Sequence, residues 1–282
     1  MKTVCCCVVG MATLLSTLLS AAEPGRRDDL VARASEADPV AAEHPEVRSH
    51  SGVIPDSNMP PQSAPSAVNI RDERQLEGWR LLISRRLLTE HAEATEKAIG
   101  LLAKQLQEIV RVVPVAAVAK LKAVPLYLSP AYDGFGAKAE YHPAAGWLRE
   151  HGRDPVMAKA VEFTNILIFE EETRRMPNFA LHELAHAYHD RELVNGFGNA
   201  EVIEVFQRAQ ASGRYDKVER QDARGRRTID RAYALTNPQE YFAETTEAYF
   251  SRNDFFPFCR EELEAHDPHG CRLLGQLWGS AK

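Results

Sequence analysis

The chain has 282 residues, 44% of them hydrophobic and 26% charged, a composition that specifies a folded region and excludes a wholly disordered chain. Its formal net charge of −6 argues against nucleic acid as a partner and reads as ordinary solubility. The length suits one large domain or two small ones.

Residues 1–22 read as a secretion signal. Lys2 supplies the positive start, Val8 to Leu19 the apolar run, and Ser20-Ala21-Ala22 the small residues of a cleavage site. The run is short for a membrane anchor and polar sequence follows at once. The mature chain is therefore expected to be secreted or periplasmic, without stable membrane insertion. Signal removal takes Cys5, Cys6 and Cys7 and leaves Cys259 and Cys271. In an oxidising compartment these two read as one disulfide, with two free buried thiols as the alternative. Residues 23–72, rich in Pro, Ala and Ser, read as a flexible leader or, alternatively, a removable pro-segment.

The folded domain is expected over 73–282. Gly78 to Leu88 leans to a strand over a helix start. Thr89 to Val113 reads as a helix, with Leu102, Leu106, Ile109 and Val113 at helical spacing and Pro114 as its stop. A short helix follows at Val115 to Leu121, then a buried strand at Val124 to Leu128. Tyr132 to Gly152 reads as irregular, with an extended piece near Ala139 to His142. Val161 to Phe169 is strand-like, with a helical segment as the alternative. Strands early and helices late give an α+β domain.

The segment Asn178 to Asp190 contains His182-Glu183-Leu184-Ala185-His186. Histidines four apart share one helix face, so both imidazoles can reach one zinc ion. Glu183 stands beside the metal, where it can take a proton from the attacking water, whose pKa zinc lowers to ~7. Leu181, Leu184, Ala185 and Tyr188 form a face suited to a core. The longer metzincin pattern needs a glycine and a third histidine where His189 and Glu192 stand, so that class is excluded. His189 reads as a surface residue, with support of the metal site as the alternative.

Zinc needs a third protein ligand and an open position. Gln239 to Phe250 reads as a helix starting after Asn237-Pro238, with Glu240, Glu244 and Glu247 on one face. A nearby cation would offset their mutual repulsion. One glutamate can bind metal, and the next can accept the other ring N–H of a ligand histidine. Arg224, Arg226, Arg227 and Arg231 read as a solvated basic loop, with a substrate surface as the alternative.

The run from Tyr233 through Asn237-Pro238-Gln239-Glu240-Tyr241-Phe242-Ala243-Glu244, preceded by the histidine helix, resembles the catalytic domain of anthrax lethal factor and related secreted zinc peptidases. The resemblance implies a zincin-like α+β metallopeptidase domain with a histidine helix and a later Glu-bearing helix. It implies that Glu240 is the third zinc ligand, ahead of Glu244, and that Tyr233 supports the oxyanion. It is confined to the two metal helices and Tyr233. Over roughly residues 76 to 278 the chain is also similar to a broader group of secreted bacterial and eukaryotic proteins, through Tyr141-His142-Pro143, the histidine helix, the Tyr233–Phe250 run and Asn253-Asp254-Phe255. The expectation is a zinc metalloendopeptidase with one Zn2+ per chain, held by His182, His186 and Glu240. Glu183 and Tyr233 are its catalytic residues and a peptide or protein its substrate. The alternatives are a dormant zinc-binding scaffold for protein or surface recognition, and a zinc hydrolase of a non-peptide substrate.

Overall fold

The computed structural model of the protein describes residues 70–279. The segments expected to be a secretion signal (1–22) and, for the most part, a leader (23–72) lie outside the described residues. The first strand, β1 (Arg71–Leu76), begins two residues before the expected domain start and turns through Glu77 and Gly78, both at positive φ, into β2 (Trp79–Ser84). The strand reading of Gly78 to Leu88 holds only to Ser84. Arg85–Glu90 forms a short helix, α1, and the long helix α2 starts at Ala92 and ends at Val112.

Short strands β3 (Leu126–Leu128), β4 (Ala139–Tyr141) and β5 (Val161–Phe163) complete a five-stranded sheet in the order β1-β2-β3-β5-β4. β2, β3 and β5 are parallel, while β1 and β4 are antiparallel edges. The strand-like run from Val161 stops at Phe163. Ile166–Ile168 is a 3-10 turn, followed by helix α5 (Phe169–Arg175). Earlier in the chain, α3 (Val115–Leu121) lies where a short helix was expected, and α4 (Ala145–Glu150) lies in the segment read as irregular.

Trp79, Leu81 and Ile83 of β2 and Leu126 and Leu128 of β3 are buried, as are Leu102, Leu106 and Ile109 of α2. They share one core with Leu181, Leu184 and Ala185 of α6 (Phe179–Glu192). α6 packs mainly on α8 (Pro238–Phe250) and also on α2 and β4. Two side chains start it. Asn178 Oδ1 accepts from the Leu181 amide at 3.1 Å, and Gln105 Oε1 of α2 accepts from the Ala180 amide at 2.9 Å. Orphan amides of a buried helix start are thereby satisfied.

After α6 the chain forms α7 (Ala200–Ser212), a hairpin of β6 (Val218–Gln221) and β7 (Arg227–Asp230), then α8, α9 (Arg260–His266) and α10 (Pro268–Leu277). Trp278 closes the second half. Its ring stacks on Tyr188 of α6 at 4.0 Å and lies 5.9 Å from Phe242 of α8, and its Nε1 donates to Thr246 Oγ1 at 3.2 Å. The expected Cys259–Cys271 disulfide is corrected: both thiols are free. Their helices turn them to different partners. Cys259 lies at the start of α9 against the Glu261 and Glu262 amides, and Cys271 meets Arg260.

Candidate metal centre

The crossing of α6 and α8 brings the sequence-predicted ligands together. His182 and His186 sit one turn apart on α6. Glu240 occupies the first turn of α8, where Asn237 Oδ1 accepts from the Glu240 amide at 2.8 Å. His182 Nε2 lies 3.1 Å from Glu240 Oε2 and 3.1 Å from His186 Nε2, and His186 Nε2 lies 3.4 Å from Glu240 Oε2. Four ligands arranged tetrahedrally at ~2.0–2.1 Å from zinc stand roughly 3.3–3.4 Å from one another. The triangle is close to one face of that tetrahedron. Two ring nitrogens and a carboxylate oxygen turned to a common point are also the donor chemistry that zinc selects. The residues therefore fit a single zinc ion with a fourth position open.

Behind this triangle lies the rest of the acidic face of α8. Glu247 Oε1 stands 2.6 Å from His182 Nδ1, while Glu244 Oε1 stands 3.6 Å away and its Oε2 accepts from Asn253 Nδ2 at 3.1 Å. The carboxylate bound to His182 is thus two turns from Glu240, not one. Burial opposes charge on His182, but Glu240 and Glu247 outweigh it and hold its pKa well above the ordinary value. Burial likewise works against a charged Glu240, yet the hydrogen bonds with His182 and His186 keep its carboxyl well below the usual range. Burial pushes Glu247 up to about 7 against the pull of His182, and burial with the Glu247 charge pushes Glu244 well up. Two adjacent buried carboxyls do not readily ionise together.

Glu183 Oε2 accepts a hydrogen bond from the Tyr141 backbone amide at 2.8 Å. Tyr141 belongs to the edge strand β4, and its hydroxyl donates to Asp190 Oδ2 at 2.6 Å. One residue thereby holds α6 at two points seven residues apart. β4 is itself braced from below. His142 Nε2 lies 2.9 Å from Glu162 Oε2, and Glu162 Oε1 accepts from Tyr132 at 2.7 Å. The Tyr141-His142-Pro143 segment entered only as part of a resemblance, and nothing in it pointed to a contact with Glu183, because that contact is made by a backbone amide.

Tyr233, in a 3-10 turn ahead of α8, is 46% exposed. It lines a cleft of about 650 Å³ together with His182, Glu183, His186 and Glu240. Burial of its ring edge and the nearby Glu240 carboxylate raise its pKa, so its hydroxyl keeps its proton at neutral pH. His189 departs from expectation: it is fully buried, its ring packed against Phe197 and Phe242, with neither nitrogen hydrogen-bonded to protein. The cause is the depth of α6, whose residues Phe179 to His189 are all buried. Arg224, Arg226, Arg227 and Arg231 are exposed as expected. They belong to the β6–β7 hairpin and the residue after it, with Gly225 at φ 75° in the turn.

Residues 147–263 match the model of the glucose-regulated metallo-peptidase M90 family. The match spans both metal helices and supports a zinc metallopeptidase, a hydrolase with which the α+β, zincin-like arrangement agrees. No curated protein and no solved structure matches the chain.

Proposed function

We propose that the protein is a secreted zinc-dependent endopeptidase that uses His182, His186 and Glu240 as ligands and Glu183 and Tyr233 as catalytic residues. The observation that carries this reading is the triangle of His182, His186 and Glu240 donor atoms, 3.1–3.4 Å apart, in one cleft with Glu183 and Tyr233. The spacing of Tyr233 and Glu240, shared with the lethal factor pattern, supports it further. Zinc held there supplies a Lewis acid that polarises the scissile carbonyl and lowers the pKa of the attacking water. Glu183 takes the proton from that water as the new C–O bond forms, then delivers a proton to the amine nitrogen as the C–N bond breaks. The Tyr141 amide holds one Glu183 oxygen still and leaves the other free for this transfer. Tyr233 donates its hydroxyl proton in a hydrogen bond to the carbonyl oxygen as negative charge builds there.

A peptide is favoured as substrate by the edge of β4 that lines the cleft. Lys138 and His142 turn their backbone groups to the sheet partner, bonding Thr164 and Ala160. Alternation then turns the Ala139 amide and carbonyl and the Tyr141 carbonyl outward along the cleft, the Tyr141 amide being taken by Glu183. Such an edge takes an extended chain as an added strand. The test is incubation of the zinc-loaded full chain with a diverse peptide library. Cleavage by the wild type that falls at least ~100-fold in Glu183→Gln is the expected result. Full zinc occupancy with no cleavage of any peptide would favour the non-catalytic scaffold instead.

A further inference from the structure

We propose that Arg220 is a specificity residue that binds a carboxylate of the substrate, so that the cleft prefers peptides that present one there. This rests on the peptidase reading above and adds to it a chemical class of substrate.

Three cationic side chains line the cleft: Lys138, Arg175 and Arg220. Two are already neutralised. Lys138 Nζ lies 2.6 Å from Glu140, and Arg175 bonds Glu172 at 2.7 Å and Asp254 at 2.9 Å. Arg220 differs. Its guanidinium makes no hydrogen bond among the described residues, and its single ion pair runs from Nε to Asp254 at 3.5 Å. That is too long for a good charge-assisted bond, and Asp254 has the nearer Arg175. The two terminal nitrogens of Arg220 are left as an unused fork.

The fork is held in place. β6 is tied to the segment after α8 by the Gln221 amide to the Asp254 carbonyl and the Phe256 amide to the Glu219 carbonyl, both 2.8 Å. The guanidinium lies 4.7 Å over the Phe255 ring, a cation–π contact that favours this placement, and the side chain remains 40% exposed. A planar, preoriented guanidinium binds carboxylates through two parallel hydrogen bonds.

A second, independent observation is the charge of the wall that carries Arg220. Between Arg214 and Arg231 stand seven basic and four acidic residues, in a chain whose net charge is −6. Arg224, Arg226, Arg227 and Arg231 are exposed along this hairpin. Arg226 and Arg227 are partly offset by Asp222 at 2.7 Å and Glu219 at 3.0 Å. Arg224, in the turn of the same hairpin, has no ion pair among the described residues and adds to its positive charge. Such a wall draws an acidic chain toward the site and repels a basic one.

The carboxylate could belong to an Asp or Glu side chain or to a peptide C-terminus, and four quenched-peptide pools separate these sources. One has internal Asp and Glu with amidated ends, and one has neutral side chains with a free C-terminus. The third is neutral and amidated, and the fourth has internal Lys with amidated ends. The zinc-loaded full chain should cleave one of the two carboxylate-bearing pools about tenfold more efficiently than the neutral amidated pool, the scale of one charge-assisted hydrogen bond. The Lys pool should be cleaved least. Arg220→Glu should invert the order of acidic and basic pools. Arg220→Lys, which keeps the charge but not the fork, should retain the order with a smaller ratio. Rising salt should erode the wild-type preference. Glu183-dependent cleavage of all pools at one rate, or a carboxylate preference untouched in Arg220→Lys and by salt, overturns the inference and leaves the peptidase reading standing. No Glu183-dependent cleavage of any pool removes both.

Discussion

Glu247 Oε1 stands 2.6 Å from His182 Nδ1, across the interface of α6 and α8. The contact fixes which imidazole nitrogen faces the ligand triangle, because a proton held at Nδ1 leaves Nε2 with its lone pair. Glu247→Ala should therefore lower zinc affinity by about 10–100-fold, the usual effect of losing a hydrogen-bonded partner of a ligand. Glu244→Ala should cost less, since its oxygen lies 3.6 Å from the same nitrogen. Competition titration with a zinc chelator ranks the two variants, and equal losses would contradict the assignment.

Tyr141→Phe deletes the hydroxyl bonded to Asp190 and keeps the backbone amide bonded to Glu183. Lys159 also pairs with Asp190, so the acceptor is not stranded. The expected cost is about 1 kcal/mol of stability, with zinc content unchanged. Denaturant unfolding beside metal analysis checks both halves.

Trp278 is buried between Tyr188 and Phe242, which lie on the two metal helices. Trp278→Ala should destabilise by about 3–5 kcal/mol. It should also weaken zinc retention, because the α6–α8 contact is packed against this ring. A thermal melt unchanged from wild type would show that the two helices hold together without it.

His189 gives the fold a defined acid sensitivity. Burial, and next the charge of His186, lower its pKa from 6.5 to about 4. Below pH 6.5 the unfolded chain takes up a proton that the folded chain refuses, so stability falls as pH drops from about 6.5 to about 4 and levels off below. The loss attributable to this one group is about 3 kcal/mol. Unfolding of the chelator-treated protein across that range should show a shallower decline in His189→Leu, which keeps an apolar side chain between Phe197 and Phe242.

The sequence made the metal helices legible because their signals are local. A four-residue histidine spacing, an Asn before each helix, and Pro238 at the second start are properties of adjacent residues. What it left open depends on how the helices are placed. His189 looked like a surface residue because nothing in its neighbourhood says that α6 is buried on every side. The choice between Glu244 and Glu247 as partner of His182 turns on the crossing of α6 and α8, to which residue spacing is blind. Tyr141 acts through its amide, Cys259 and Cys271 face different neighbours, and Arg220 matters because its acidic partner is already bound by Arg175. Each of these is settled by tertiary packing.

The most direct test of the metal assignment is the zinc content of purified single variants. Glu240→Ala should purify nearly free of zinc, since it leaves two imidazoles where three protein ligands are required. Glu244→Ala, loaded with excess zinc, should hold about one equivalent per chain, as the wild type does. Tyr233→Phe should also keep its zinc while losing turnover, because its hydroxyl acts on charge that develops only during reaction. Zinc retained in Glu240→Ala and lost from Glu244→Ala would move the ligand one helical turn and contradict the proposed centre together with its alignment to Tyr233.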